Sequence, residues 1–152
     1  MINYAKQYIS KKDIIAVVRT LKSDYLTTGP AITKFEKKIN KYTNSKFAVG
    51  VNSATSALHI SCLALGLKKG DILWTTPNSF VASANCALYC GASIDFVDIS
   101  PDDFNISITL LKKKLARAAP KKKLPKIIVP VHFGGLPCEM KEIYKLSAMV
   151  KP

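Results

Sequence analysis

From Lys46 onward the chain alternates short apolar runs with segments of helical period, and that alternation admits few folds. Phe47–Val51 (FAVGV), Ile72–Thr75, Ile94–Val97 and Ile127–Val131 (IIVPV) read as strands. Between and after them, Ser56–Leu65, Ser79–Tyr89, Ile108–Ala118 and Glu139–Met149 read as helices, the first two ended by Gly66 and Gly91. Strands that alternate with helices imply an α/β fold, a mostly parallel sheet with helices on both faces. Apolar runs without strict polar alternation fit strands buried on both sides. In such sheets ligands gather at the carboxyl ends of the strands.

The first 45 residues follow a different pattern. Ser10 is placed to cap a helix running to about Lys22, with Ile14, Val17, Val18 and Leu21 on one face. Thr27-Thr28-Gly29-Pro30 breaks it, and a second helix from Ala31 to about Tyr42 turns Ile32, Phe35 and Ile39 inward. The expected organisation is a helical segment over residues 1–45 followed by the α/β domain over 46–152.

Composition narrows the function classes. Nearly half of the residues are hydrophobic, yet no run approaches the roughly 20 apolar residues of a membrane helix. The start MINYAKQYISKKD has no apolar signal core, so a cytoplasmic location is expected. The net charge of +13 suggests an anionic partner, but among 23 basic residues only Arg19 and Arg117 are arginine. Base and phosphate recognition favours the planar, bidentate guanidinium, whereas lysine spread over helix faces is more often solvated surface. The runs Lys112–Lys114 and Lys121–Lys123 are the densest basic patch. Cys62, Cys86, Cys90 and Cys138 are scattered; Cys86 and Cys90 are four apart, but no His or second pair follows at zinc spacing, so buried thiols are expected and no metal site.

Three strand ends carry candidate chemistry. Asn52-Ser53-Ala54-Thr55-Ser56-Ala57-Leu58 opens a helix, whose free N–H groups and positive dipole end can seat a phosphate, with Ser53, Thr55 and Ser56 adding hydroxyls. Plain N-capping is the alternative. Neither Gly-x-x-x-x-Gly-Lys nor Gly-x-Gly-x-x-Gly is present. Thr75-Thr76-Pro77-Asn78-Ser79-Phe80 leaves the next strand, with Ser79 a credible cap and Phe80 either stacking on a planar ligand or filling the core. Asn85, in a mostly apolar helix, would need partners if buried. His132-Phe133-Gly134-Gly135 follows IIVPV, and His132 is either a ligand-contacting or acid–base group or a satisfied structural histidine. His59, inside a helix, reads as structural. No nucleophile triad or pair of catalytic carboxylates can be assembled.

Taken together these segments resemble the DegT/DnrJ/EryC1/StrS family of pyridoxal-phosphate (PLP) sugar aminotransferases. The resemblance runs through Leu26-Thr27-Thr28-Gly29-Pro30 with Phe35-Glu36, Ala48 to Leu58, Gly70-Asp71, Thr75 to Asn85, Gly91-Ala92 with Asp95-Phe96-Val97-Asp98-Ile99, and Val129-Pro130-Val131-His132-Phe133-Gly134-Gly135. Their order and spacing cover nearly the whole chain. The Asn-Ser-Ala-Thr-Ser-Ala-Leu and Thr-Thr-Pro-x-Ser-Phe forms look most like the branch that aminates a UDP-linked 4-keto-6-deoxy N-acetyl sugar on the route to pseudaminic acid.

The resemblance implies the N-terminal part of a fold type I (aspartate aminotransferase-like) large domain, with PLP as cofactor. It assigns the cofactor phosphate to Ala54 and Thr55 and ring stacking to Phe80, and it puts His132 at the ring edge, with Ser56 and Asn85 nearby. The implied enzyme is a cytoplasmic homodimer that moves an amino group from an amino acid, expected to be glutamate, to a nucleotide-linked keto sugar. In the family the acidic partner of the pyridinium nitrogen and the Schiff-base lysine come after the last helix seen here, and a small C-terminal domain follows. The chain is therefore expected to be a fragment, inactive alone, without a catalytic residue of its own. A PLP-dependent sugar dehydratase of the same family, and a basic binding domain without catalysis, are the competing readings.

Overall fold

The computed structural model describes residues 6–148 and falls into two compact units, Met1–Gly50 and Val51–Pro152. In the first, helix α1 (Lys11–Leu21) opens on a full capping box: the Ser10 hydroxyl accepts from the Asp13 N–H at 3.3 Å while the Asp13 carboxylate accepts from the Ser10 N–H at 2.7 Å. That backbone bond, with the Ser10 hydroxyl, holds the Asp13 carboxyl below its ordinary value. Helix α2 (Pro30–Thr43) starts with proline at its first position, where no N–H is needed, and ends on Asn44 in the left-handed conformation. Within this unit the Glu36 carboxylate accepts the Gly50 N–H at 2.8 Å.

The second unit comprises α3 (Ala54–Ala64), β1 (Ile72–Thr75), α4 (Ala82–Tyr89), β2 (Ser93–Phe96), α5 (Ile108–Ala118), β3 (Ile127–Ile128) and α6 (Met140–Ala148), with single 3-10 turns at Ala119–Lys121 and Phe133–Gly135. The sheet order is β2-β1-β3 and both pairings are parallel, Ile72 lying opposite Ser93 and Leu73 opposite Ile127. Side chains alternate across β1. Trp74 packs with Val97, Leu111, Leu115 and Ile143 towards α5 and α6, while Leu73 packs with Cys62, Cys86 and Ala87 towards α3 and α4. Helices thus cover both faces, as the parallel pattern requires. The chain leaves β1 for β2 on one side and returns past β1 to β3 on the other, so the carboxyl ends of β1 and β3 flank a topological switch point.

Four expectations change. Phe47–Val51 forms no strand: among the described residues no strand pairs with it, and Phe47 and Val49 are exposed. An apolar run sets β propensity, but a strand also needs a neighbour to complete its ladder. Strand β3 stops at Ile128, short of the expected Val131: the Val129 N–H still reaches the Trp74 carbonyl at 2.8 Å, but Trp74 is already opposite Ile128 and β1 ends one residue later at Thr75, so the partner strand runs out. Strand β2 is an edge strand with mostly exposed side chains, and so is not buried on both sides. Helix α4 begins at Ala82, with Val81 before it and no side-chain cap, so Ser79 does not cap it; its hydroxyl lies 2.6 Å from that of Ser83. Met149, the expected end of the last helix, lies outside the described residues.

Candidate functional site

Two of the three candidate loops leave neighbouring strands. Thr75 and Thr76 are buried at the end of β1, and the Thr75 hydroxyl donates to the Val129 carbonyl at 2.9 Å. This ties the loop leading to Phe80 to the stretch leading to His132. Phe80 belongs to neither core; the residue is 74% exposed, which removes the core-filling alternative.

The start of α3 does two jobs at once. Ser53 is an N-cap: its hydroxyl accepts the Ser56 N–H at 3.2 Å, and its carbonyl accepts the Ala57 N–H at 3.1 Å. The Ser56 hydroxyl is in turn held by the Asn52 side-chain carbonyl at 2.7 Å. Among the described residues nothing accepts from the N–H groups of Ala54 and Thr55 or pairs with the Thr55 hydroxyl. The hydroxyls of Ser53 and Ser56 are spent on the cap, so the donors left for an anion are two backbone N–H groups and one hydroxyl, at the positive end of an 11-residue helix. Thr55 and Ser56 open onto a shallow hollow shared with His59 and Tyr89, whose rings meet edge-on with centroids 5.3 Å apart. Neither Phe80 nor His132 lines that hollow, so the candidate residues lie on open surface and not in one enclosed cavity. Sequence reasoning gave no sign of the His59–Tyr89 pair, because side-chain stacking between two helices leaves no trace in spacing.

His132 is exposed, and its Nδ1 accepts the Cys138 N–H at 3.1 Å. A backbone N–H can only donate, so in the neutral ring the proton sits on Nε2. The Cys138 thiol donates to the Val131 carbonyl at 3.1 Å. Asn105, buried to 2% exposure, accepts the Phe133 N–H at 3.0 Å and donates to the Leu136 carbonyl at 3.2 Å. Asn85 is half-buried within α4.

Cys62, Cys86 and Cys138 are buried and in no disulfide, whereas Cys90, also expected to be buried, is half-buried. Burial, with Cys86 alongside, pushes the Cys62 thiol up to about 12, and burial also raises that of Cys138; neither suits a nucleophile. Among the described residues no three His, Cys, Asp or Glu side chains group as for a metal ion. Part of the lysine excess is paired: Lys114 lies 2.7 Å from Asp95 and 4.8 Å from the Trp74 ring centroid, Lys126 3.0 Å from Asp71, and Lys145 2.7 Å from Glu142. Burial raises the Asp95 carboxyl, but the Lys114 hydrogen bond opposes it and the net shift is downward. No helix among the described residues is long and apolar enough to cross a membrane.

Comparison with known proteins gives consistent results. The model of the DegT/DnrJ/EryC1/StrS aminotransferase family matches residues 7–151. A UDP-4-amino-4,6-dideoxy-N-acetyl-beta-L-altrosamine transaminase of Campylobacter jejuni is 43% identical over 147 residues, which are 97% of this chain and 38% of that protein. The Helicobacter pylori aminotransferase PseC, involved in the biosynthesis of pseudoaminic acid, superposes with a TM-score of 0.87 at 32% identity, covering 97% of this chain and 38% of that one. A putative sugar aminotransferase of Streptococcus pneumoniae in its PLP-form superposes with a TM-score of 0.83 at 28% identity, covering 95% and 36%. The fold is that of the N-terminal part of PLP-dependent aminotransferases, and the chain spans little more than a third of the length of these relatives.

Proposed function

We propose, from the premise that this chain belongs to the DegT/DnrJ/EryC1/StrS aminotransferase family, that it forms the phosphate-and-ring cradle of a PLP-dependent nucleotide-sugar aminotransferase. The observation that carries this reading is the pair of unpaired N–H groups at Ala54 and Thr55, beside a cap already satisfied by Ser53. The residues fit the cofactor: a dianionic phosphate suits two N–H donors and a helix dipole, and a flat pyridine ring suits the exposed face of Phe80.

When bound, PLP supplies the electron sink through which an amino group passes from an amino acid to a keto sugar. The residues of this chain bind and orient it. Ala54 and Thr55 would hold the phosphate by main-chain N–H groups, Phe80 would supply an aromatic face for the ring, and His132 would offer an Nε2–H donor. The family's chemistry also needs a lysine, and the resemblance gives that role to none of the lysines in this chain. The 152 residues alone are therefore expected to bind PLP without transaminating.

The names of the Campylobacter and Helicobacter relatives support a UDP-linked 4-keto-6-deoxy sugar as the substrate of the whole enzyme; glutamate as its amino donor and a cytoplasmic homodimer as its working form rest on the family resemblance alone. The dehydratase reading differs in a residue outside the cradle and leaves these roles unchanged.

The test is PLP titration of the chain followed by protein fluorescence and absorbance. Saturable binding that inorganic phosphate competes away, and that pyridoxal lacking the phosphate fails to reproduce, supports the cradle. Equal binding of PLP and pyridoxal would remove it, and turnover of glutamate by the chain alone would overturn the view that the lysine lies elsewhere.

A further inference from the structure

The loop bearing His132 is held by a residue that sequence reading passed over. Asn105 lies 28 residues upstream of Phe133, in the segment between β2 and α5, with its side chain buried. Its amide oxygen takes the Phe133 N–H and its amide nitrogen gives to the Leu136 carbonyl, so one side chain grips both ends of the 133–135 turn. Its own backbone is fixed as well. The Asn105 N–H donates to the Asp103 carboxylate at 3.0 Å, its carbonyl accepts the Ser100 N–H at 2.8 Å, and Ile99 bridges Ile106. Beyond the turn, Cys138 is buried in the same core as Ile106, and its N–H fixes Nδ1 of His132.

A buried amide with both functions satisfied against one loop is costly to disturb and tolerates few arrangements. A loop of two glycines, Gly134 and Gly135, both at positive φ, has little stiffness of its own. The order of the His132 ring thus comes from outside the loop.

We propose that Asn105 is a positioning residue: by clamping Phe133 and Leu136 it keeps Cys138 in register with His132, so that the imidazole is presented as a fixed Nε2–H donor. Its relevance to the cofactor rests on the placement of His132 proposed above; the clamp itself does not.

Nitrogen-15 NMR of the imidazole, with amide hydrogen exchange, tests the clamp on the 152-residue chain without any turnover. In the unaltered chain His132 shows one neutral tautomer with the proton on Nε2, and the Phe133 amide exchanges slowly although the loop is exposed. In Asn105→Ala the two ring nitrogens move towards averaged values and Phe133 exchange quickens by about tenfold, the loss of one hydrogen bond. Asn105→Asp keeps the acceptor for Phe133 and removes the donor to Leu136; it restores the Phe133 protection that the alanine variant loses. A tautomer mixture in the unaltered chain, an unprotected Phe133 amide, or an alanine variant with unchanged spectra would overturn the proposal. If Asn105→Ala does not fold, the first two readings on the unaltered chain decide it. Added PLP separates the two readings. Locked His132 signals that PLP leaves in place retain the clamp and remove His132 from the cofactor site, whereas signals that PLP shifts support both.

Discussion

The Thr75 hydroxyl and the Val129 carbonyl meet at 2.9 Å across 54 residues of sequence, joining the loops that leave β1 and β3. Thr75 is fully buried, so its hydroxyl has no water to fall back on. Replacing it by valine keeps the shape and strands the carbonyl. Thr75→Val is expected to lower stability by about 1–3 kcal/mol, the cost of a buried group left unpaired, with the urea midpoint falling and the slope unchanged.

Ala54→Pro separates the anion seat from the helix. Residue 54 is the first helical position, where proline fits, and Ser53 before it is extended as a pre-proline residue must be. The substitution deletes one N–H donor and leaves α3 intact. Circular dichroism should be unchanged, while PLP affinity falls by about tenfold or more, as for one hydrogen bond to a charged group.

Phe80→Leu should likewise separate binding from stability. The ring is largely exposed and outside both cores, so the unfolding free energy should move by no more than about 0.5 kcal/mol. PLP binding should weaken through loss of the aromatic face; an unchanged affinity measured by titration would argue against stacking.

Asp71 predicts an acid response. The Lys126 ammonium hydrogen-bonds its carboxylate, the Lys68 N–H adds a second bond, and the carboxyl is held below its ordinary value of 3.8. A carboxyl lowered in the folded state stabilises it above that ordinary value, and the contribution is lost as pH falls through the folded one. The stability difference between the unaltered chain and Asp71→Asn should therefore be full at neutral pH and shrink below about pH 4. A difference that grows on acidification would contradict the sign.

Much of the fold was legible because it rests on local patterns. Ile72–Thr75 and Ile108–Ala118 fall at the bounds that periodicity gives, and Ser10 caps α1 as read. What failed depended on partners distant in sequence. FAVGV has the residues of a strand and lacks a neighbour, and β3 is cut short where its partner β1 ends at Thr75. Of the site, the α3 start was legible from its own residues as a phosphate seat or a plain cap, whereas the roles given to Phe80 and His132 came from the family resemblance. The grip of Asn105 on Phe133 and Leu136 was invisible, since an asparagine in a loop is ordinary and only the fold brings it to that turn.

The alternation along β1 has a consequence for how such a chain can change over time. Leu73 and Trp74 are adjacent in sequence but answer to different helices, α3 and α4 for one, α5 and α6 for the other. A volume change at 73 can be compensated only from the first pair and one at 74 only from the second. Correlated substitutions among related chains should therefore sort into two groups that divide between these neighbouring positions, with little exchange across the sheet.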